Sequence, residues 1–257
     1  MAELSAEGQR IVVTAGAGGI GLAIVSALVG AGARVHICDV DEAALAACGK
    51  GLGVGTTRAD VSDEAQVDAL FDEAARTLGG LDVLVNNAGI AGPTGAVEEI
   101  DPAAWRRCID IDLTGQFLCA RRAVPLLKAN GSGAIINMSS AAGRHGYPYR
   151  TPYSSAKFGV IGFTQSLAKE LGPAGIAVNA ILPGIVKGPR IESVIRARAT
   201  QLGLSYAEME KQYLEKVSLR RMVTAEDVAQ MVLFLASPLG RNVSGQSIGV
   251  CGNVETL

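Results

Sequence analysis

Tyr153-Ser154-Ser155-Ala156-Lys157 sets a phenol and an ammonium four residues apart, on one face if the segment is helical. A free tyrosine, with a pKa near ~10, is a weak base at neutral pH. A neighbouring ammonium stabilises the phenolate and lowers that pKa. Such a tyrosine can take the proton of an alcohol as hydride leaves, or return one to a carbonyl. Taken alone this spacing is common by chance. A second group of residues could hold the acceptor of such a hydride. Residues 14–21, TAGAGGIG, hold Gly16, Gly18 and Gly21 in GxGxxG register, with Gly19 and Ile20 inside the loop. Glycines there let the backbone approach a pyrophosphate, whose charge sits on a helix N-terminus. Asp39, about twenty residues on, is placed to accept hydrogen bonds from a ribose 2′-OH and to repel a 2′-phosphate. No Arg or Lys stands between Val35 and Gly49 to welcome that phosphate, so NAD is expected over NADP. Asp41 is the alternative acid.

These residues need a frame, and the hydrophobic pattern provides one. Short apolar runs at 11–15, 33–38, 53–58, 81–86, 134–138, 176–181 and 246–250 read as strands. Between them fall helical stretches at 19–29, 41–48, 63–78, 102–128, 151–171 and 192–216, and a last helix opened by Thr224-x-x-Asp227. Within 63–78, Val67, Leu70, Phe71, Ala74, Ala75 and Leu78 keep the spacing of one buried face, with Asp63 as the cap and Gln66 three residues on. Strands that do not alternate, joined by helices, predict an α/β doubly wound parallel sheet of Rossmann type. No Pro/Ser-rich linker interrupts the chain, so residues 1–257 read as a single domain.

Composition agrees with that frame. The chain has 257 residues, 49% hydrophobic and 19% charged, which excludes disorder. Glycine is 32 of 257 and aromatics are only 4%, as tight strand–helix turns and an aliphatic parallel sheet require. Charge is balanced, 23 basic against 25 acidic, without the basic excess of a nucleic-acid binder. The five cysteines are scattered without a CxxC pair, and only His36 and His145 are present; free thiols and no metal are expected. The N-terminal MAELSAEGQR lacks a basic and an apolar leader segment. No apolar run approaches the ~18 residues of a membrane span. A cytoplasmic enzyme is the expectation.

Taken together, the motifs resemble the short-chain dehydrogenase/reductase family over essentially the whole chain. The matching pieces are the loop at 14–21, Asp60-Val61, Asn86-Asn87-Ala88-Gly89, Ser140, Tyr153 with Lys157, and Pro183-Gly184. The resemblance implies a catalytic set of Ser140, Tyr153 and Lys157. It also implies adenine contacts from Asp60 and Val61, and cofactor contacts from Asn87, Ala88, Gly89, Pro183, Gly184 and Ile185. Lys157 would also bind the nicotinamide ribose. Family members mostly assemble as tetramers, here through the helices at 102–128 and 151–171.

Three positions depart from the family pattern. The first loop glycine is Ala15, tolerable if that residue keeps a negative φ. The family's active-site Asn is Asp112, whose main-chain carbonyl can still hold a relay water, so that carbonyl rather than the carboxylate is expected to act. The threonine usual four residues after the Pro-Gly glycine is Gly188. On the substrate side, the stretch at 144–150 offers His145, Tyr147 and Arg150. A lid at about 187–221 carries Lys187, Arg190, Arg196, Arg198, Lys211, Lys216, Arg220 and Arg221 against four acids. A positive lid favours an anionic substrate. The expected reaction is NAD-dependent oxidation of a secondary hydroxyl on a sugar, sugar acid or hydroxy acid. Two alternatives stay open: an NADPH-dependent 3-oxoacyl-carrier-protein-type reductase, and a dinucleotide sensor without turnover.

Overall fold

The computed structural model describes residues 4–254, the side chains at 190, 197 and 201 excepted. Seven strands form one parallel sheet: β1 (Arg10–Thr14), β2 (Arg34–Asp39), β3 (Gly55–Arg58), β4 (Val83–Asn86), β5 (Gly133–Met138), β6 (Ile176–Pro183) and β7 (Ser247–Val250). Their order is β3-β2-β1-β4-β5-β6-β7. The order therefore reverses between β1 and β4, and a crevice opens at the carboxyl ends of these strands.

Helices cover both faces, which is why the strands lack polar alternation. Ile11, Val13, Val83, Val85 and Ile136 point to one face, against Ile24, Val25 and Leu28 of α1 (Gly19–Gly30) and Val228 and Val232 of α9 (Ala225–Ala236). Val12, Leu84 and Ile135 point to the other, against α3 (Glu64–Leu78) and α5 (Gly115–Asn130). The same face carries α6 (Thr151–Leu171), whose Leu171 is buried there. Asp63 caps α3 by accepting from the Gln66 N–H. Thr224 and Asp227 close a reciprocal capping box on α9.

Two helical stretches break where the sequence reads them as continuous. The segment 102–128 is α4 (Pro102–Ile109), a π-turn (Asp110–Thr114) and then α5. The segment 192–216 is α7 (Pro189–Leu202) and α8 (Tyr206–Glu215), divided at Gly203, whose φ of 68° ends one helix, and Ser205, which caps the next. The remaining helix, α2 (Glu42–Leu52), is capped by Asp41 accepting from the Ala44 N–H; Asp41 is thereby committed to the fold, which leaves Asp39 as the acid facing the crevice.

Candidate active site

The loop between β1 and α1 is fixed by contacts to the segment that follows β4. Thr14 is buried, and its hydroxyl accepts from the N–H groups of Asn87 and Ala88, each at 2.9 Å. The Asn87 amide donates to the carbonyls of Thr14 and Ala15, each at 3.0 Å. A Cβ on Gly21 would lie 2.0 Å from the Ala15 carbonyl oxygen, so α1 can approach the loop only with glycine there. Ala15 itself has φ 49°. The condition under which alanine is unstrained there, a negative φ, is not met: the position is left-handed, and alanine adopts it at a steric cost of about 1–2 kcal/mol.

Gly18 and Gly19 face the opposite way. A Cβ on either would meet nothing within 4 Å, and both line the crevice. Gly18 caps α1 with no side chain on the helix amides and no acid in the first turn. Open amides at a helix N-terminus fit a dinucleotide pyrophosphate. Asp39 also lines the crevice, oriented by the N–H of Val40 at 2.8 Å and of Ala17 at 3.3 Å. Arg58, its register partner on β3, turns to Glu42 at 3.2 Å. Sequence distance hid that cation, since strand pairing alone brings it beside Asp39.

The crevice continues into a cavity of about 590 Å³ lined by Ser140, Tyr153 and Lys157 together with Gly18, Gly19, Ile20, Gly21, Asn87, Gly89, Pro183, Gly184 and Ile185. Three bonds lock α6 to the loop after β5 and so fix Tyr153 relative to Ser140. Ser139 Oγ donates to the Lys157 carbonyl at 2.7 Å, Ser154 Oγ to the Ala142 carbonyl at 2.7 Å, and Lys157 Nζ to the Met138 carbonyl at 3.1 Å. Ser140 Oγ accepts from the Ala142 N–H at 3.1 Å, leaving its own proton to donate. Lys157 Nζ lies 5.6 Å from the centre of the Tyr153 ring.

Asp112 sits in the π-turn, fully buried. Its Oδ1 accepts from the Ile90 N–H at 2.6 Å, and Oδ2 lies 3.8 Å from Lys157 Nζ. Its main-chain carbonyl accepts from Gln116 Nε2 at 3.2 Å. The carboxylate is thus the part of Asp112 that faces the lysine, while the carbonyl expected to act is engaged by Gln116. No motif in the sequence marks Gln116. Its amide also donates to the Met138 carbonyl, tying the π-turn to the carbonyl that holds Lys157.

Several expected contacts lie away from the cavity wall. Gly16 packs against Ile37, and Ala88 is engaged by Thr14. Asp60 accepts from Ser62 and pairs with Arg107 at 3.0 Å; these bonds outweigh desolvation and hold its carboxyl below the usual range. Val61 is buried against Gly115. His145 is carried by the turn after Ser140 to a separate cavity of about 340 Å³, beside Arg144, Leu182 and Cys251, so its ring is not part of the large cavity. Tyr147 and Arg150 do line the large cavity, as do Lys187, Tyr213 and Lys216 from the 187–221 segment. The side chain of Arg190 is outside the described residues.

A glycine-loop crevice joined to a Ser/Tyr/Lys cavity defines a nicotinamide-dinucleotide-dependent oxidoreductase of Rossmann architecture. The comparisons narrow the class. The family model described as enoyl-(acyl carrier protein) reductase matches residues 14–253. A cis-4-hydroxycyclohexanecarboxylate dehydrogenase from Sinomonas cyclohexanicum is 41% identical over 262 aligned residues, covering 100% of each chain. An actinorhodin polyketide ketoreductase solved with NADPH superposes with a TM-score of 0.91 at 33% identity, covering 100% of both chains. A xylitol dehydrogenase solved with NAD+ superposes at 0.89 with 27% identity, covering 96% of this chain and 99% of that one. The chain belongs to the short-chain dehydrogenase/reductase family.

Proposed function

We propose that this protein oxidises a secondary hydroxyl of a small polar substrate, a sugar, sugar acid or hydroxy acid, with NAD as its cofactor. The observation that carries the reading is one continuous wall: Asp39 and the open glycines at one end, Ser140, Tyr153 and Lys157 at the other. NAD, when bound, supplies the hydride acceptor. Tyr153 takes the hydroxyl proton, and Ser140 donates a hydrogen bond that orients the substrate oxygen. Lys157 places its ammonium beside the phenol, and Asp112 holds Lys157 from behind. The segment at 187–221 serves as the lid over the substrate end. A second copy of the chain is the proposed partner, in a homotetramer. Phe117 on α5 and Phe158 on α6, 48% and 47% exposed, offer the apolar surface for it, and sedimentation checks this.

One observation favours a second reading. Arg58 beside Asp39 could turn from Glu42 toward a 2′-phosphate, which would suit an NADPH-dependent ketone reductase like the actinorhodin enzyme. Screening polyols, sugar acids and hydroxy acids for NAD reduction separates the readings. Turnover with NAD supports the proposal, and ketone reduction with NADPH alone supports the second. NADH binding without turnover on any compound points to a sensor.

A further inference from the structure

Arg150 is 8% exposed and lines the large cavity. A guanidinium carries five N–H donors. Among the described residues, the Arg150 guanidinium donates one hydrogen bond, from Nη2 to the Ala91 carbonyl at 2.6 Å, and its Nε is buried with no partner. No carboxylate of the described residues pairs with it. Its Cζ packs 5.1 Å from the centre of the Tyr153 ring and 5.3 Å from that of Tyr147. The neighbouring Tyr149 is exposed and held at φ 63°, a conformation L side chains rarely adopt. That turn leaves Tyr149 outside while Arg150 goes in.

A buried cation without a counter-ion is costly unless an anion completes it. The other charges on the cavity wall do not do so. Asp39 is the only acid among the lining residues and serves the dinucleotide end, Lys157 faces Asp112, and Lys187 and Lys216 add further positive charge. We propose that Arg150 receives the carboxylate of the substrate, so that the substrate is a hydroxy acid and not a neutral polyol. Because Arg150 packs against the ring of the proposed base, the carboxylate and the reacting hydroxyl belong to one small molecule. Guanidinium and carboxylate form a charge-assisted pair with geometric selectivity. The inference rests on the oxidation reading for the position of the hydroxyl, but the anion site can be tested without turnover.

Two probes decide it. The first compares kcat/KM for 4-hydroxycyclohexanecarboxylate and its primary amide, in the parent, R150Q and R150K. The acid should lead the amide by at least tenfold in the parent, mainly through KM. That ratio should approach one in R150Q and be partly kept in R150K. The second follows thermal unfolding of the NADH complex with cyclohexanecarboxylate or cyclohexanecarboxamide, neither of which can react. The carboxylate should raise Tm in the parent and not in R150Q, and the carboxamide should do so in neither. An acid-to-amide ratio unaffected by both substitutions overturns the proposal, as does a parent that the carboxylate probe leaves unstabilised. Oxidation of neutral polyols with no preference for acids leaves the reaction standing and removes the anion site. Arg150-dependent stabilisation with no turnover on any hydroxy compound keeps the anion site and removes the reaction.

Discussion

The dinucleotide end and the substrate end of the crevice are built by different means. The first is made of backbone at close quarters: Gly21 against the Ala15 carbonyl, and Thr14 clamping the segment after β4 that carries Asn87 and Ala88. Its supports belong to the two main cores on either side of the sheet. The second is made of side chains reaching in from the loop before α6, from α6 itself, and from α7, α8 and the residues that flank them. Helices α7 and α8 rest on a small core of their own, Ile195, Ala199 and Met209. Close backbone approach admits few residue types and so leaves a motif. A wall of Tyr, Arg and Lys admits many, so the substrate end is free to vary in what it recognises.

If the contrast holds, substitutions at the dinucleotide end should cost fold and cofactor together, and those at the substrate end should change selectivity. The largest effect is expected for Gly21→Ala, whose added carbon would sit 2.0 Å from a backbone oxygen. NADH binding by fluorescence should be lost, and urea denaturation should show about 1–3 kcal/mol less stability. Normal NADH affinity would break the contrast at its strongest point.

Cofactor choice comes next. NAD should be preferred over NADP by at least tenfold in kcat/KM on one substrate, about 1.4 kcal/mol. Asp39→Ala should narrow the ratio, with Arg58 free to help. Equal use of both cofactors by the parent would remove Asp39 from its role. Smaller still is Asp112→Asn. The amide can accept from the Ile90 N–H as the carboxylate does, and the main-chain carbonyl is unchanged. What is lost is a charge 3.8 Å from Lys157. At least a third of the parent kcat should remain at the optimum when measured across pH 6–10. A collapse of kcat in folded, NADH-binding protein would make the carboxylate itself essential. The least change is expected for Ala15→Gly, which relieves a left-handed alanine but adds freedom to the unfolded chain. A net gain near ~0.5–1 kcal/mol should raise the urea midpoint at constant slope. A lower midpoint would mean that the alanine methyl makes a contact worth more than the strain.

The sequence made α6, the capping box at Thr224 and Asp227, and the parallel sheet legible, because each rests on local periodicity or on caps. The π-turn was not legible. Nothing in Ile109-Asp110-Ile111-Asp112 breaks a helix; the Ile90 N–H, twenty-two residues away in sequence, engages Asp112. The division between α7 and α8 is marked by Gly203 and by Ser205 with Glu208, signals that the surrounding polar residues blur. At the site, Tyr147 and Arg150 reach the cavity while His145, from the same stretch, does not. Side-chain direction in an irregular loop is set by turns such as the left-handed one at Tyr149, which residue types alone do not announce.

The claim that Tyr153 moves the proton while the rest of the crevice binds is tested most directly by Tyr153→Phe. The change removes one hydroxyl and keeps the ring against Arg150 and Lys157. In one titration series, NADH affinity and the rate of NAD reduction on a turned-over hydroxy acid are measured for parent and variant. The account predicts unchanged NADH affinity within about twofold and a kcat lower by roughly 10²–10⁴. A variant that keeps half the parent kcat would contradict it and place the proton transfer on another group.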